Sequence, residues 1–394
     1  MTMETEPDAK RQKIEPKIET RRCEFWMEKK KRQCGMQKKA GLKFCTEHMV
    51  QLDGDDERVP CPLDSKHTVR VRDMKKHLLK CNARPKEKDL WFCEDINLHL
   101  DESTHDVEDD HDEHHYFDLL KQLEFEELPS HICSHEGLLK KLGEVLNQKH
   151  ALQQSSLIGN LKRLNQLSTD TFYMEYGCGK GELSRYVNLC AMRDSEGQTP
   201  GYGFGFIDRG VNRQKVDNRL IKDCKENGIT PIVKRSRIDI KDLDVSKFLQ
   251  ATNAEKVMII SKHLCGVATD LTLCLVLKSD LISKSQFQGM LIAMCCRHVC
   301  SYALLLPESK RYLACMGFPS SKSFDVLKKA VSWAVSGDDL DKAKLGLVAR
   351  RIIDESRAIA MQKRLKNYNV ELFKYVEPST TLENVCLSIT NASA

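Results

Sequence analysis

Eight cysteines and histidines between residues 23 and 81 leave the front of this chain few ways to fold. They fall into two sets of four, Cys23-x10-Cys34-x10-Cys45-x2-His48 and Cys61-x5-His67-x9-His77-x3-Cys81. Zinc takes four thiolate or imidazole ligands in a tetrahedron, and a small domain without an apolar core needs that cross-link to fold. Apolar residues are too few in the first 90 positions to make a core of their own. Two small zinc fingers are therefore expected, at 20–52 and 58–86, each holding one structural ion because four protein ligands leave no open position. Pro60 before Cys61 and the alternation Val69-Arg70-Val71 predict a strand or turn for the first pair of the second set. His77 and Cys81, four apart, are expected on one helical face.

The chain has 17 cysteines in all and opens on MTMETEPDAKRQK, which lacks the apolar core of a secretory signal. Thiols and metal ligands are expected rather than disulfides, in the nucleus or cytoplasm and not in a secreted protein. Lys10-Arg11-Gln12-Lys13 is a feeble nuclear-import candidate. No apolar run approaches the ~18 residues of a membrane span. Charge is uneven: residues 1–93 carry 23 basic and 16 acidic side chains, 94–127 one basic and 14 acidic, and 128–394 38 basic and 27 acidic. Two basic bodies thus flank an acidic, His-rich segment, 94–127, which is expected to be a solvated linker. Basic bodies suit a polyanion such as nucleic acid.

Residues 130–167 place leucines at helical spacing and are expected to form a helical connector of one or two amphipathic helices. Its His131, Cys133, His135 and His150 have no finger spacing and are read as incidental polar positions. From 168 to 392, strand-like and helical stretches alternate, the pattern of an α/β domain with a mostly parallel sheet. The apolar run Thr171–Tyr176 leads into Gly177-Cys-Gly179-Lys-Gly181, with a helix from Glu182. Glu182 stands where a dinucleotide fingerprint has its third glycine, and Lys180 is not followed by Ser or Thr as in a P-loop. What remains, E-x-G-x-G-x-G, resembles motif I of Rossmann-like class I S-adenosylmethionine-dependent methyltransferases. On that likeness Glu175, Gly177, Gly179 and Gly181 line a cofactor, Asp208 at the end of the next strand binds ribose hydroxyls, and Asp239 reaches the adenine. Asp239 is equally suited to cap a helix.

Further on come Ser261-Lys-His-Leu-Cys-Gly-Val-Ala-Thr-Asp270 and a strand end Cys295-Cys296-Arg297-His298. Taken with the two fingers and the glycine loop, this order resembles the eukaryotic tRNA ribose methyltransferases that modify nucleotide 4 of the acceptor stem. The likeness covers about residues 20–90 and 130–390. The second finger is also similar to the CHHC type of a minor-spliceosome protein. The resemblance implies methyl transfer from S-adenosylmethionine to a ribose 2′-oxygen in tRNA-Gly, tRNA-Pro and tRNA-His, two structural zinc ions, a tRNA partner, and neither a membrane nor a DNA partner. That family reads CCHH where this chain has Cys295-Cys296-Arg297-His298, so His298 would have to keep the histidine's role.

His298 and His263, at strand ends, are the general-base candidates, and Lys262 is suited to a developing alkoxide or a phosphate. Cys295, Cys296, His298 and Cys300 number four, but one zinc usually draws on two segments, so packing is the preferred reading. Lys328, Lys329, Lys342, Lys344, Arg350 and Arg351 offer a basic face for an RNA backbone or a solubilising surface. Two other functions fit the motifs less fully: a methyltransferase of the same fold acting on protein or a small molecule, and an RNA-binding homologue without activity.

Overall fold

The computed structural model describes residues 22–45, 47–49, 58–81, 83–84, 88–100, 106–144, 148–195, 197, 199–212, 214–250, 252–334 and 339–392. The basic stretch Lys10–Lys13 lies outside them. The chain divides into two compact units, one up to Glu87 and one from Lys88 onward.

In the first unit, strands β1 (Trp26–Met27) and β2 (Arg32–Gln33) pair antiparallel between Cys23 and Cys34. Strands β3 (Arg58–Cys61) and β4 (Asp64–Arg70) form a second hairpin, irregular at Pro60/Cys61, and helix α1 (Met74–Leu78) follows. The hairpin supplies Cys61 and His67, as the alternation predicts. The helix is shorter than expected: it carries His77 but ends at Leu78, so Cys81 arrives from the turn beyond it. Among the described residues of this unit the buried apolar ones are Cys23, Cys34, Cys45, Cys61, Val69 and Cys81. Nearly everything hidden from water is therefore a ligand sulfur.

The second unit opens with helices α2 (Glu113–Gln122), α3 (Leu139–Glu144) and α4 (Lys149–Arg163). Seven strands follow, β5 (Phe172–Tyr176), β6 (Gly203–Ile207), β7 (Ile232–Ser236), β8 (Val257–Cys265), β9 (Phe287–Cys295), β10 (Tyr368–Lys374) and β11 (Val385–Asn391), in one sheet ordered β10-β11-β9-β8-β5-β6-β7. The five from β7 to β9 are parallel, and β11 runs antiparallel between β9 and β10. Every residue of β5 and β6 is buried, as expected for strands covered on both faces. The crossings are made by α5 (Glu182–Asp194), α6 (Asp217–Glu226), α7 (Val245–Leu249) and α8 (Val267–Lys278). Helices α9 (Pro307–Cys315), α10 (Ser321–Trp333) and α11 (Leu340–Arg364) lead to the last hairpin. The order in which strands are added reverses at β5, whose neighbours are β6 on one side and β8 on the other. Open α/β sheets bind ligands in the crevice beyond the carboxyl ends at such a point.

The described parts of the acidic segment, 94–100 and 106–127, are packed onto this unit rather than strung out as a solvated linker. Asn97 donates from Nδ2 to the Ile240 and Leu243 carbonyls at 2.7 and 2.8 Å, and Asp95 N–H donates to Asp242 Oδ1 at 2.9 Å. Helix α2 buries Tyr116 and Leu120 against Phe318, Phe324 and Leu327. The helix packs Tyr116, Phe117, Leu119 and Leu120 into this cluster, a pattern that a count of 14 carboxylates does not register. Of the segment's histidines, His105 lies outside the described residues.

Candidate active site

The glycine loop joins the end of β5 to α5, and Gly177, Gly179 and Gly181 take φ of 61, 50 and 86°. At Gly181 a Cβ would stand 2.7 Å from the Phe206 ring and 3.1 Å from the Arg235 guanidinium, so a side chain there is excluded by both strain and contact. At Gly179 the space is open, the nearest atom to an added Cβ being Asn212 Nδ2 at 3.8 Å. Arg235 holds the loop from β7, donating to Cys178 Sγ (2.9 Å) and Gly179 O (3.1 Å) while pairing with Asp217. Sequence reasoning missed this residue, since nothing local marks it.

Glu175 does not face the crevice. It is buried, and one carboxylate oxygen accepts from Ser184 N–H at 3.1 Å and from Ser184 Oγ at 2.5 Å. Burial pushes its carboxyl up to about 7, against the Ser184 hydrogen bonds and the charges on Arg235 and Lys262. Its position is that of an anchor between β5 and the first turn of α5.

A cavity of about 390 Å³ opens beyond the ends of β5, β6, β7 and β8, lined by Gly177, Ile207, Asp208, Asp239, His263 and Cys265 among others. Asp208 accepts from Gly179 N–H (2.8 Å) through one oxygen and from Gly210 N–H (2.7 Å) through the other. Each oxygen keeps a lone pair toward a hydroxyl-bearing ligand. Asp239 caps a short 3-10 turn, accepting from Lys241 N–H at 3.1 Å, and still lines the cavity. The capping expectation holds, and the cap leaves the residue on the cavity wall. Leu98, Val267, Ala268, Leu271 and Leu304 supply an apolar wall. Leu98 comes from the acidic segment and was not foreseen. A compact, mostly apolar crevice with two carboxylates, flanked by Arg209 and Lys241, suits a nucleoside-bearing ligand.

His263 sits exposed at the cavity rim, where desolvation, then Lys262 and His150, push its imidazole down to about 4. Lys262 Nζ lies 2.9 Å from His150 Nδ1, and desolvation lowers its ammonium. The sequence placed His150 among incidental positions; it in fact reaches the strand-end pair. His131 and His135 pair with Glu371 (2.8 Å) and Asp194 (3.0 Å) instead. His298 is exposed on the turn after β9, and the cavity is lined without it. Of the three candidates, His263 alone lines the cavity; Lys262 stands next to it in β8 with its ammonium on His150, and His298 is on the separate turn after β9.

Arg297, the departure from CCHH, points away from the cavity into a buried ion network. It pairs bidentately with Asp354 (3.0 and 2.8 Å), donates to Met294 O at 2.8 Å and pairs with Glu383. Arg350 also reaches Glu383 at 2.9 Å, and Arg357 pairs with Asp270 at 2.7 Å. The substituted position therefore supports the strand end from below. We expect Arg297→Ala to cost roughly 3 kcal/mol in urea unfolding, the lower end for a broken buried pair, because Arg357 remains 4.0 Å from Asp354. A cost under ~1 kcal/mol would contradict the network reading.

The cations expected to form a basic face along the C-terminal helices mostly stand in ion pairs at the surface. Lys328, Lys329, Lys342, Lys344 and Arg351 pair with Asp325, Glu113, Asp339, Asp341 and Glu355, and Arg350 is buried. Four of these partners lie three or four residues away on the same helix or its cap, a pairing that a count of cations overlooks.

Two tetrads in the first unit fit zinc. The ligand atoms of Cys23, Cys34, Cys45 and His48 lie within 4.8 Å of one another, as do those of Cys61, His67, His77 and Cys81. The separations Cys23 Sγ–His48 Nδ1 (3.3 Å), His77 Nε2–Cys61 Sγ (3.2 Å) and Cys61 Sγ–Cys81 Sγ (3.7 Å) match the edges of a tetrahedron with bonds of about 2.0–2.3 Å. Phe25 stacks on the His48 ring at 3.9 Å and holds it in place.

Sheet order, glycine loop and strand-end carboxylates together define a class I methyltransferase domain. Residues 152–342 and 339–390 match the family Methyltransferase TRM13. Residues 21–49 match the CCCH zinc finger in TRM13 protein, and 58–82 the U11-48K-like CHHC zinc finger. A curated relative from Scheffersomyces stipitis, "tRNA:m(4)X modification enzyme TRM13", is 46% identical, covering 92% of this chain and 99% of its own. Its namesake from Debaryomyces hansenii is 47% identical over 98% and 96%, and that of Saccharomyces cerevisiae 31% over 97% and 98%. The chain belongs to the TRM13 methyltransferase family; S-adenosylmethionine is its methyl donor, and zinc is the metal of its two fingers.

Proposed function

We propose that this chain methylates tRNA, placing the methyl group on the ribose 2′-oxygen of nucleotide 4 in the acceptor stem. The observation that carries the tRNA substrate is the likeness over nearly the whole length to relatives named for tRNA modification. A tRNA substrate puts the work in the nucleus or cytoplasm. Under this reading the domains run as the sequence suggests, with fingers at 20–52 and 58–86, connector at 130–167 and catalytic domain at 168–392. No described helix is long and apolar enough to cross a membrane.

S-adenosylmethionine supplies an activated methyl group, which leaves the protein to bind, align and deprotonate. Asp208 and Asp239 hold the nucleoside, and the open backbone at Gly179 lets it approach. His263 accepts the 2′-hydroxyl proton at the rim, and Lys262 steadies the oxygen as it gains charge. Alignment provides most of the rate, roughly 7–11 kcal/mol. A neutral imidazole of low basicity adds toward the lower end of the ~10²–10⁴-fold available to general bases.

A radiolabelled methyl transfer to purified tRNA, followed by alkaline hydrolysis, tests the site. A ribose methyl leaves an uncleaved dinucleotide spanning nucleotide 4, and a label that stays on a mononucleotide base would overturn the proposal. His263→Ala should lower turnover ~10²-fold with donor binding kept. Because the base must be deprotonated, wild-type activity should fall only as pH drops toward about 4. An acid limb between 6 and 7 would hand the role to another group, His298 first among them.

A further inference from the structure

Three sulfurs that neither finger uses converge at the ends of β8 and β9. Cys265, Cys295 and Cys296 have their Sγ atoms within 4.8 Å of one another, and Cys265 and Cys295 are register partners across the two parallel strands. Their sulfurs are 2.8 Å apart. The fingers provide an internal comparison: the zinc-set pair Cys61 and Cys81 stands at 3.7 Å, close to the ~3.8 Å edge that bonds of 2.3 Å impose. A pair at 2.8 Å leaves no such edge. The cluster also has three members, not four, among the described residues. The four-ligand set weighed from sequence is not assembled either, because Cys300 Sγ accepts from Arg357 at 2.9 Å. Sulfur–sulfur chemistry fits this geometry better than metal binding.

Access is one-sided. Cys265 is exposed and lines the cavity, whereas Cys295 is buried behind it. Neighbouring strands lie about 4.8 Å apart, within the 4.4–6.8 Å Cα span that a disulfide bridges. The backbone need not rearrange. Hydrogen bonding from Cys295 brings the Cys265 thiol down to about 6 despite its desolvation, with Cys296 adding to the effect. The exposed member is thus the nucleophilic one at neutral pH.

We propose that Cys265 and Cys295 form a peroxide-sensitive modification site that closes to a disulfide beside the donor cavity. The Cys265 thiolate attacks one oxygen of a hydroperoxide; the O–O bond breaks, the second oxygen leaves as hydroxide or alkoxide and takes up a proton, and the sulfur becomes a sulfenic acid. Cys295 sulfur then attacks Cys265 sulfur, the S–O bond breaks, water leaves with the Cys295 proton, and the S–S bond forms. Two thiols and one peroxide become one disulfide, one alcohol or water, and one water. Two equivalents of a small thiol return both cysteines to the reduced state. The bond draws the Cys265 sulfur off the cavity wall and pins two strand ends. A displacement near 1 Å at a transfer site costs up to about 10²-fold in rate. That consequence rests on the function proposed above; the bond itself does not.

The full-length, zinc-loaded protein is treated with hydrogen peroxide, digested without reductant and read by mass spectrometry, while donor binding and transfer are measured before oxidation, after it, and after dithiothreitol. The expected result is a linked pair of peptides carrying Cys265 and Cys295, absent from Cys265→Ser and from Cys295→Ser, with a ~10–10²-fold loss of transfer that dithiothreitol reverses. Irreversible overoxidation of Cys265 without a link, or a third zinc per chain that protects these thiols, would overturn the site. If the link forms and transfer is unchanged, the regulatory consequence falls. Failure of the reduced protein to bind donor at all would count against the functional reading alone, since the link is scored separately.

Discussion

Stripping both zinc ions with a strong chelator should unfold the finger unit completely while the seven-stranded sheet keeps its amide protection. Val69 is the one buried apolar residue described in that unit that is not a ligand cysteine. Burying a valine stabilises by about 1.5–3 kcal/mol, whereas ordering each residue's backbone costs about 1–2 kcal/mol. Structural zinc contributes roughly 10–16 kcal/mol per finger at neutral pH, so the metal decides whether the unit folds. Hydrogen exchange checks this directly: amides of 22–45 and 58–81 should exchange at the unprotected rate after chelation, and those of 172–176 and 257–265 should not change. Cys61→Ser should release one zinc and leave the first tetrad loaded. Donor affinity should survive, because every residue lining the cavity comes from position 98 or later. Persistent protection in the zinc-free fingers would show that their packing had been underestimated.

What could be read in advance divides along lines of sequence distance. The finger tetrads were legible because zinc chemistry fixes the residue types and the ligands of each set lie no more than 25 positions apart. The sheet was legible because fully buried strands such as Phe172–Tyr176 and Gly203–Ile207 are short apolar runs, and the glycine loop marks the first of them. Contacts set by sheet register were not. Arg235 reaches the loop from β7, Glu383 meets Arg297 from a segment 86 residues on, and Cys265 meets Cys295 only because β8 and β9 are aligned as they are. Glu175 looked like a cofactor ligand because it precedes the glycines, yet alternation along β5 turns it inward to Ser184. The cations of the C-terminal helices make a related point: most already have carboxylate partners. Composition records how many charges exist and says nothing of where their partners lie.

Replacing Asp208 by alanine should weaken S-adenosylmethionine binding by roughly 10²-fold or more and abolish detectable transfer. Its carboxylate does two things at once. It fastens the glycine loop to the end of β6 through the Gly179 and Gly210 amides at 2.8 and 2.7 Å, and it presents its remaining lone pairs to the cavity. Hydrogen bonds to a charged group are worth about 1.5–3 kcal/mol each. Two bonds to ribose hydroxyls, lost together, would amount to about 3–6 kcal/mol, and 1.4 kcal/mol is a factor of ten in affinity. Water can enter this partly open site and recover some of that, which favours the lower end. Asp208→Asn keeps one acceptor oxygen and the side chain's shape, so its loss should be nearer tenfold. Titration calorimetry on both variants, with hydrogen exchange at Gly179 and Gly210, separates the two roles. If Asp208→Ala frees the loop amides but leaves affinity unchanged, the carboxylate is an anchor and not a ligand. If affinity falls while the amides stay protected, the contact to the nucleoside carries the effect. Loss of both together is the outcome that the position of Asp208, at the end of β6 beside the reversal in the sheet, leads us to expect.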